Sequence, residues 1–118
     1  MKRSENQYRR GEIWWVQLDP SICYEAKKTR PCLILQNDSG NKHSRLTTIA
    51  PLLATKNYPF VVNIKPTEEN GLDKERGLHL SQVRAVDSVR VKSKLGQIDP
   101  VHWEQIYTAI NIHLGFID

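Results

Sequence analysis

The chain reads as a mainly β fold with short helices: a small antiparallel barrel whose C-terminus is an amphipathic helix. Three observations predict this. Short segments rich in β-branched and aromatic residues, separated by turn-forming stretches, fill the chain up to about residue 98. The apolar period then switches from two to between three and four after Asp99-Pro100. Finally, 118 residues with 39% hydrophobic composition suit one compact unit, taken here as residues 1–118, that needs no metal or disulfide to hold its core.

The first strand is expected over Gly11–Asp19, where Ile13, Trp14, Trp15 and Val16 favour extended backbone and Pro20 closes the run. Ahead of it, the basic segment of residues 1–9 is expected to be a flexible, solvated tail. A second strand, Cys32–Gln36, lies between Pro31 and the turn-forming Asn37-Asp38-Ser39-Gly40-Asn41. Leu46–Leu52 is a third candidate. Phe60–Lys65 alternates, with Phe60, Val62 and Ile64 on one face. Gly77–Leu80, Gln82–Val86 and Lys92–Ile98 complete the sheet. Asp99 then supplies an N-cap acceptor and Pro100 sits at the first helical position, where its missing N–H costs nothing. Trp103, Ile106, Tyr107, Ile110 and Leu114 form one apolar stripe, and Gly115 suits the left-handed residue beyond the end.

Composition excludes several classes. The mean hydropathy of -0.53 and the lack of a long uncharged apolar run argue against a transmembrane helix. The charged start leads into no apolar signal core, so the expected compartment is the cytoplasm. Cys23 and Cys32 are expected to stay reduced there, Cys32 as a small core residue. His43, His79, His102 and His113 show no ligand spacing, so no metal is expected, and without a P-loop or GxGxxG no cofactor is expected either. The balance of 17 basic against 13 acidic residues, a net +4, suits an anionic partner.

Two long connections break the economy of turns: Pro20–Arg30 and Leu53–Tyr58. Long loops beside a small sheet are where a site is built. The first ends Glu25-Ala26-Lys27-Lys28-Thr29-Arg30-Pro31. Arg30 stands at a strand entrance, stiffened by Pro31, and a fixed guanidinium matches phosphate oxygens bidentately. Glu25 can orient it or take a proton. The plainer reading of the two is a surface ion pair that contributes little.

Here the residues resemble a known family. Arg10-Gly11-Glu12-Ile13-Trp14-Trp15-Val16-Gln17-Leu18-Asp19-Pro20, then Glu25 through Arg30-Pro31, look like the opening of the MazF/PemK toxin endoribonucleases. Gln36-Asn37-Asp38, Ala50-Pro51, Tyr58-Pro59-Phe60, Gln82-Val83-Arg84 and Leu114-Gly115 follow in matching order, so the likeness spans nearly the whole chain. It implies a strongly twisted, SH3-like antiparallel barrel that works as a homodimer. It implies metal-independent cleavage of single-stranded RNA by attack of the ribose 2′-OH, leaving a 2′,3′-cyclic phosphate and a 5′-OH. It also implies a cognate antitoxin with an acidic, disordered tail, and DNA binding through the antitoxin complex.

Residue by residue, Arg30 falls at the position of the family's catalytic arginine and Glu25 at that of a nearby acidic residue. The family's threonine after the Ala-Pro pair is replaced here by Leu53, which cannot hydrogen-bond. Thr55 offers a hydroxyl two residues on, about 7 Å along a strand. Cys23-Tyr24 stands where the family commonly has Gly-Ser, and Tyr24 can stack on a base. Lys27 and Lys28 can meet phosphates, and Gln82 and Arg84 match a segment near the RNA channel. The expected catalytic set is therefore Arg30, Glu25 and Thr55, with Tyr24, Lys27, Lys28, Gln82 and Arg84 on the RNA. The expected function is the toxin of a toxin–antitoxin pair. The alternative is a catalytically weakened module that binds RNA or antitoxin without cutting. A third reading, a gyrase poison of related fold, is disfavoured by the arginine-bearing loop.

Overall fold

The computed structural model describes residues 7–19 and 28–117. Seven strands, β1 (Glu12–Gln17), β2 (Thr29–Ile34), β3 (Leu46–Leu53), β4 (Val61–Ile64), β5 (Arg76–His79), β6 (Arg84–Asp87) and β7 (Val91–Gln97), form one antiparallel sheet in the order β4-β5-β3-β2-β1-β7. The strand β6 pairs with β3 off this path. Two helices, α1 (Asp38–His43) and α2 (Trp103–His113), and three short 3₁₀ turns complete the described chain. Neither helix is long and apolar enough to cross a membrane.

The longest strand organises the rest. Along one edge β3 pairs first with β6, from Leu46↔Asp87 to Ile49↔Arg84, and then with β5 at Leu52↔Leu78 and Leu53↔Gly77. Along the other edge it pairs with β2 from Ile34↔Ile49 to Cys32↔Pro51. The sheet bends where β3 changes partner and buries both faces. Ile13, Leu33, Ala50, Leu52, Leu78, Ile106 and Ala109 pack between the sheet and α2. Tyr8, Val16, Leu18, Cys32, Ile34, Ile49 and Val86 form a second cluster. Burial on both faces explains why β2 carries a continuous apolar run rather than an alternation.

The antiparallel β class with a C-terminal helix holds, but strand pairing leaves the sheet open. Its edges meet through a loop: the Gln97 N–H donates to the Glu69 carbonyl at 2.9 Å, and a Cβ on Gly96 would strike that carbonyl. Other differences are local. Asn37-Asp38-Ser39-Gly40-Asn41 opens α1 instead of forming a turn, because the Asn37 side chain accepts from the Gly40 N–H at 2.8 Å and caps it. Asp99 caps as expected, accepting from the Val101 N–H, but into a 3₁₀ turn over Pro100–His102 that precedes α2. Ile106 and Ala109 carry the buried face of α2, while Tyr107 and Leu114 stand on its flank in solvent. Within the expected tail, Tyr8 is buried and meets the Trp14 ring edge-on.

Candidate active site

Arg30 is the second residue of β2, opposite Val16 of β1, and Pro31 behind it pairs with Trp15. The guanidinium therefore leaves backbone paired to β1 at that residue, which limits the entropy lost on gripping an anion. Lys28, just before it, has φ of +65°, a left-handed conformation unusual for a long side chain. Its carbonyl accepts from the Leu18 N–H at 2.8 Å, which pins the entry to β2 against the end of β1.

Continuing the β2–β3 register two residues beyond Cys32↔Pro51 brings Arg30 level with Leu53. Both line one cleft of about 440 Å³ with Ala54, Thr55, Lys74, Glu75 and Arg76. The far wall arrives because Leu53 pairs with Gly77, which places the start of β5 beside the end of β3. Arg76 is held by Asp73, its Nε donating to Oδ1 at 3.0 Å and a terminal nitrogen to Oδ2 at 3.3 Å. The hydrogen bond from Arg76 keeps the Asp73 carboxyl below the ordinary carboxylate range. Two guanidiniums, an ammonium, a carboxylate and a hydroxyl thus share one opening. That set can hold a phosphodiester and stabilise added charge on it.

Of the residues singled out from the sequence, Arg30, Leu53 and Thr55 come together. Tyr24, Glu25 and Lys27, with Cys23, lie outside the described residues. Gln82 and Arg84 are not part of this cleft's described wall. Arg84 shares the sheet face of Arg30, since Arg84↔Ile49 and Ile49↔Ile34 put the three on one side. There burial pushes the Cys32 thiol up to about 12, slightly offset by the Arg84 guanidinium. Sequence reasoning missed Lys74, Glu75 and Arg76. They sit in a charged stretch that reads as a solvated turn, and only the Leu53↔Gly77 register gives them meaning. Among the described residues no cluster of His, Cys, Asp or Glu could hold a metal ion.

The fold is that of the MazF class of toxins: the crystal structure of MazF from Deinococcus radiodurans superposes with a TM-score of 0.78 at 22% identity, over 92% of this chain and 96% of that one. A mycobacterial endoribonuclease in complex with its cognate antitoxin gives 0.75 at 20% identity, over 94% of this chain and 98% of that one. In sequence, the chain is 34% identical over 110 residues to the endoribonuclease MazF of Staphylococcus saprophyticus, covering 91% of each. Residues 9–114 match the model of the PemK-like, MazF-like toxins of type II toxin–antitoxin systems, and the chain belongs to that family.

Proposed function

We propose that this toxin is an endoribonuclease that cuts single-stranded RNA, with the cleft around Arg30 as its active site. The observation that carries the reading is the convergence of Arg30, Arg76, Lys74 and Thr55 on one opening at the ends of β2, β3 and β5. The ribose 2′-oxygen attacks the adjacent phosphorus while its proton passes to a base. The P–O5′ bond breaks, and the 5′-oxygen takes a proton from solvent water, whose hydroxide is neutralised by the proton the base received, giving a 2′,3′-cyclic phosphate and a 5′-OH. The substrate carries its own nucleophile, so no metal-bound water has to be activated.

The phosphorane gains negative charge, and a fixed guanidinium binds it more tightly than the ground state. Arg30 takes that role. Arginine is no base, because its guanidinium keeps its proton in proteins. A carboxylate is the proton acceptor: Glu25 from the family position, with Glu75 as the carboxylate on the described wall. Tyr24, Lys27, Lys28, Gln82 and Arg84 extend the RNA path. The protein works as a cytoplasmic homodimer, countered by an antitoxin whose acidic tail competes for the basic cleft. Leu53 in the cleft wall favours a second reading, a weakened relative that binds RNA or antitoxin without cutting.

The deciding experiment incubates a defined fluorescent RNA with the purified protein in excess EDTA. Cleavage to 2′,3′-cyclic phosphate and 5′-OH ends is expected. Products with 3′-OH ends, or cleavage only after magnesium is restored, would overturn the mechanism. Tight RNA binding without cleavage would establish the binding module.

A further inference from the structure

The connection after β3 is held down at two successive points. The Ala54 carbonyl lies 2.7 Å from Nε2 of His79, and a carbonyl only accepts, so this nitrogen carries the proton and donates. One residue past Thr55, the Lys56 N–H donates to Oδ1 of Asn63 at 3.3 Å, and Nδ2 of Asn63 donates to the Lys56 carbonyl at 3.0 Å. His79 and Asn63 stand on adjacent strands, in the ladder that runs Val61↔His79 and Asn63↔Gly77. Gly77 makes room for the arrangement, because a Cβ there would come within 2.7 Å of the Ala54 carbonyl. His79 is buried although Ala54, Thr55 and Lys56 are exposed. The backbone on both sides of Thr55 is therefore tied to the rigid sheet. That is unusual care for a surface loop, which ordinarily leaves such groups to water.

Thr55 lines the cleft that Arg30 enters, and the neighbouring wall position is the leucine at 53. We propose that His79 and Asn63 are positioning residues for RNA cleavage: they strap the Ala54–Lys56 backbone so that the Thr55 hydroxyl meets the scissile phosphate beside Arg30. Thr55 then donates to a non-bridging oxygen as the phosphorane forms, supplying the hydroxyl that Leu53 lacks. This rests on the endoribonuclease reading above. A hydroxyl on a loose loop would have to be ordered during the reaction, whereas a strapped one is ordered by folding.

The test is single-turnover cleavage of one fluorescent RNA, together with binding of its 2′-deoxy analogue. Thr55→Val is expected to slow cleavage about 10²-fold with binding unchanged, the usual cost of one lost stabiliser. His79→Leu is expected to slow it about tenfold, and His79→Gln, which keeps a donor, to recover most of the rate. The double variant His79→Leu/Thr55→Val should be no slower than Thr55→Val, because His79 acts through Thr55. Asn63→Ala should repeat the pattern if His79→Leu folds poorly. Full activity in Thr55→Val, or multiplying losses in the double variant, would overturn the strap while leaving Arg30 and the endoribonuclease reading intact. If wild type cuts no RNA, that reading fails first, and amide exchange then decides. Exchange at the Lys56 amide, which is bonded to Asn63, accelerated about tenfold or more in His79→Leu would support the strap, and unchanged exchange would overturn it.

Discussion

Arg30 and Leu53 stand level on neighbouring strands and line the same cleft, so a cation and an apolar side chain share the space a phosphate would enter. Arg30→Ala is expected to lower single-turnover cleavage by about 10²–10³ while binding of a 2′-deoxy substrate changes far less. Arg30→Lys should rescue poorly, since an ammonium lacks the planar fork. Equal cleavage by wild type and Arg30→Ala would remove Arg30 from the chemistry.

Leu53→Thr places a hydroxyl on the cleft wall opposite Arg30. With Thr55 already strapped beside the cleft, the change should leave the rate within about threefold, the scale of a neutral replacement. A tenfold or greater rise would instead mark Leu53 as a lesion and this chain as a weakened enzyme. The same kinetic assay reads both outcomes.

If a carboxylate takes the 2′-OH proton, replacing it by an amide should slow cleavage. The double variant Glu25→Gln/Glu75→Gln should lose about 10² in single-turnover rate while binding of the 2′-deoxy substrate stays unchanged. A rate equal to wild type in the double variant would exclude both side chains as the base.

The Cys32 thiol sits in the second core cluster with its pKa pushed up to about 12 by burial. It should resist alkylation in the folded state at pH 8 and react on unfolding, measured with iodoacetamide in a Cys23→Ser background. A thiol raised by burial contributes stability that is complete below the unfolded pKa near 9.0 and is lost as pH climbs toward 12. Cys32→Ala should flatten that alkaline loss in urea titrations.

Glu12 joins three parts of the fold. One oxygen accepts from the Arg9 N–H at 2.8 Å and from the Trp14 indole at 3.0 Å, and the other pairs with Lys94 at 2.8 Å. Burial raises its pKa, but the hydrogen bonds from Lys94, Trp14 and Arg9 outweigh it and leave the net value below the ordinary 4.5. A depressed carboxyl contributes stability that is present above its unfolded pKa and lost as pH falls through the folded one. Glu12→Ala should cost about 2 kcal/mol at neutral pH. The gap to wild type should close in urea titrations carried into acid.

The strands were legible because β-branched runs and turn residues mark extended backbone directly, and Asp99-Pro100 marks the helix start by its own chemistry. The first helix was not legible, since Asp38-Ser39-Gly40 has turn composition, and the Asn37 cap and the buried Asn41 that hold it helical gain their meaning only from the fold. Arg30 stood out by its place before a proline and a strand. Arg76 did not, because its value depends on a cross-strand register and on a carboxylate, Asp73, that looks like any surface charge. His79 carried no signal at all: a histidine in an apolar strand names no partner until the fold brings Ala54 to it.

A single strand bonded to three others bears on how this toxin can diversify. From Ile49 to Leu52 four successive residues of β3 are buried, while Leu46 at its start is half exposed. A saturation scan should find a block of intolerance at these four positions, where alternation would predict every second one. Novelty in what the protein recognises must then be written in the segments that hang from this trunk, where sequence can change without dismantling the sheet.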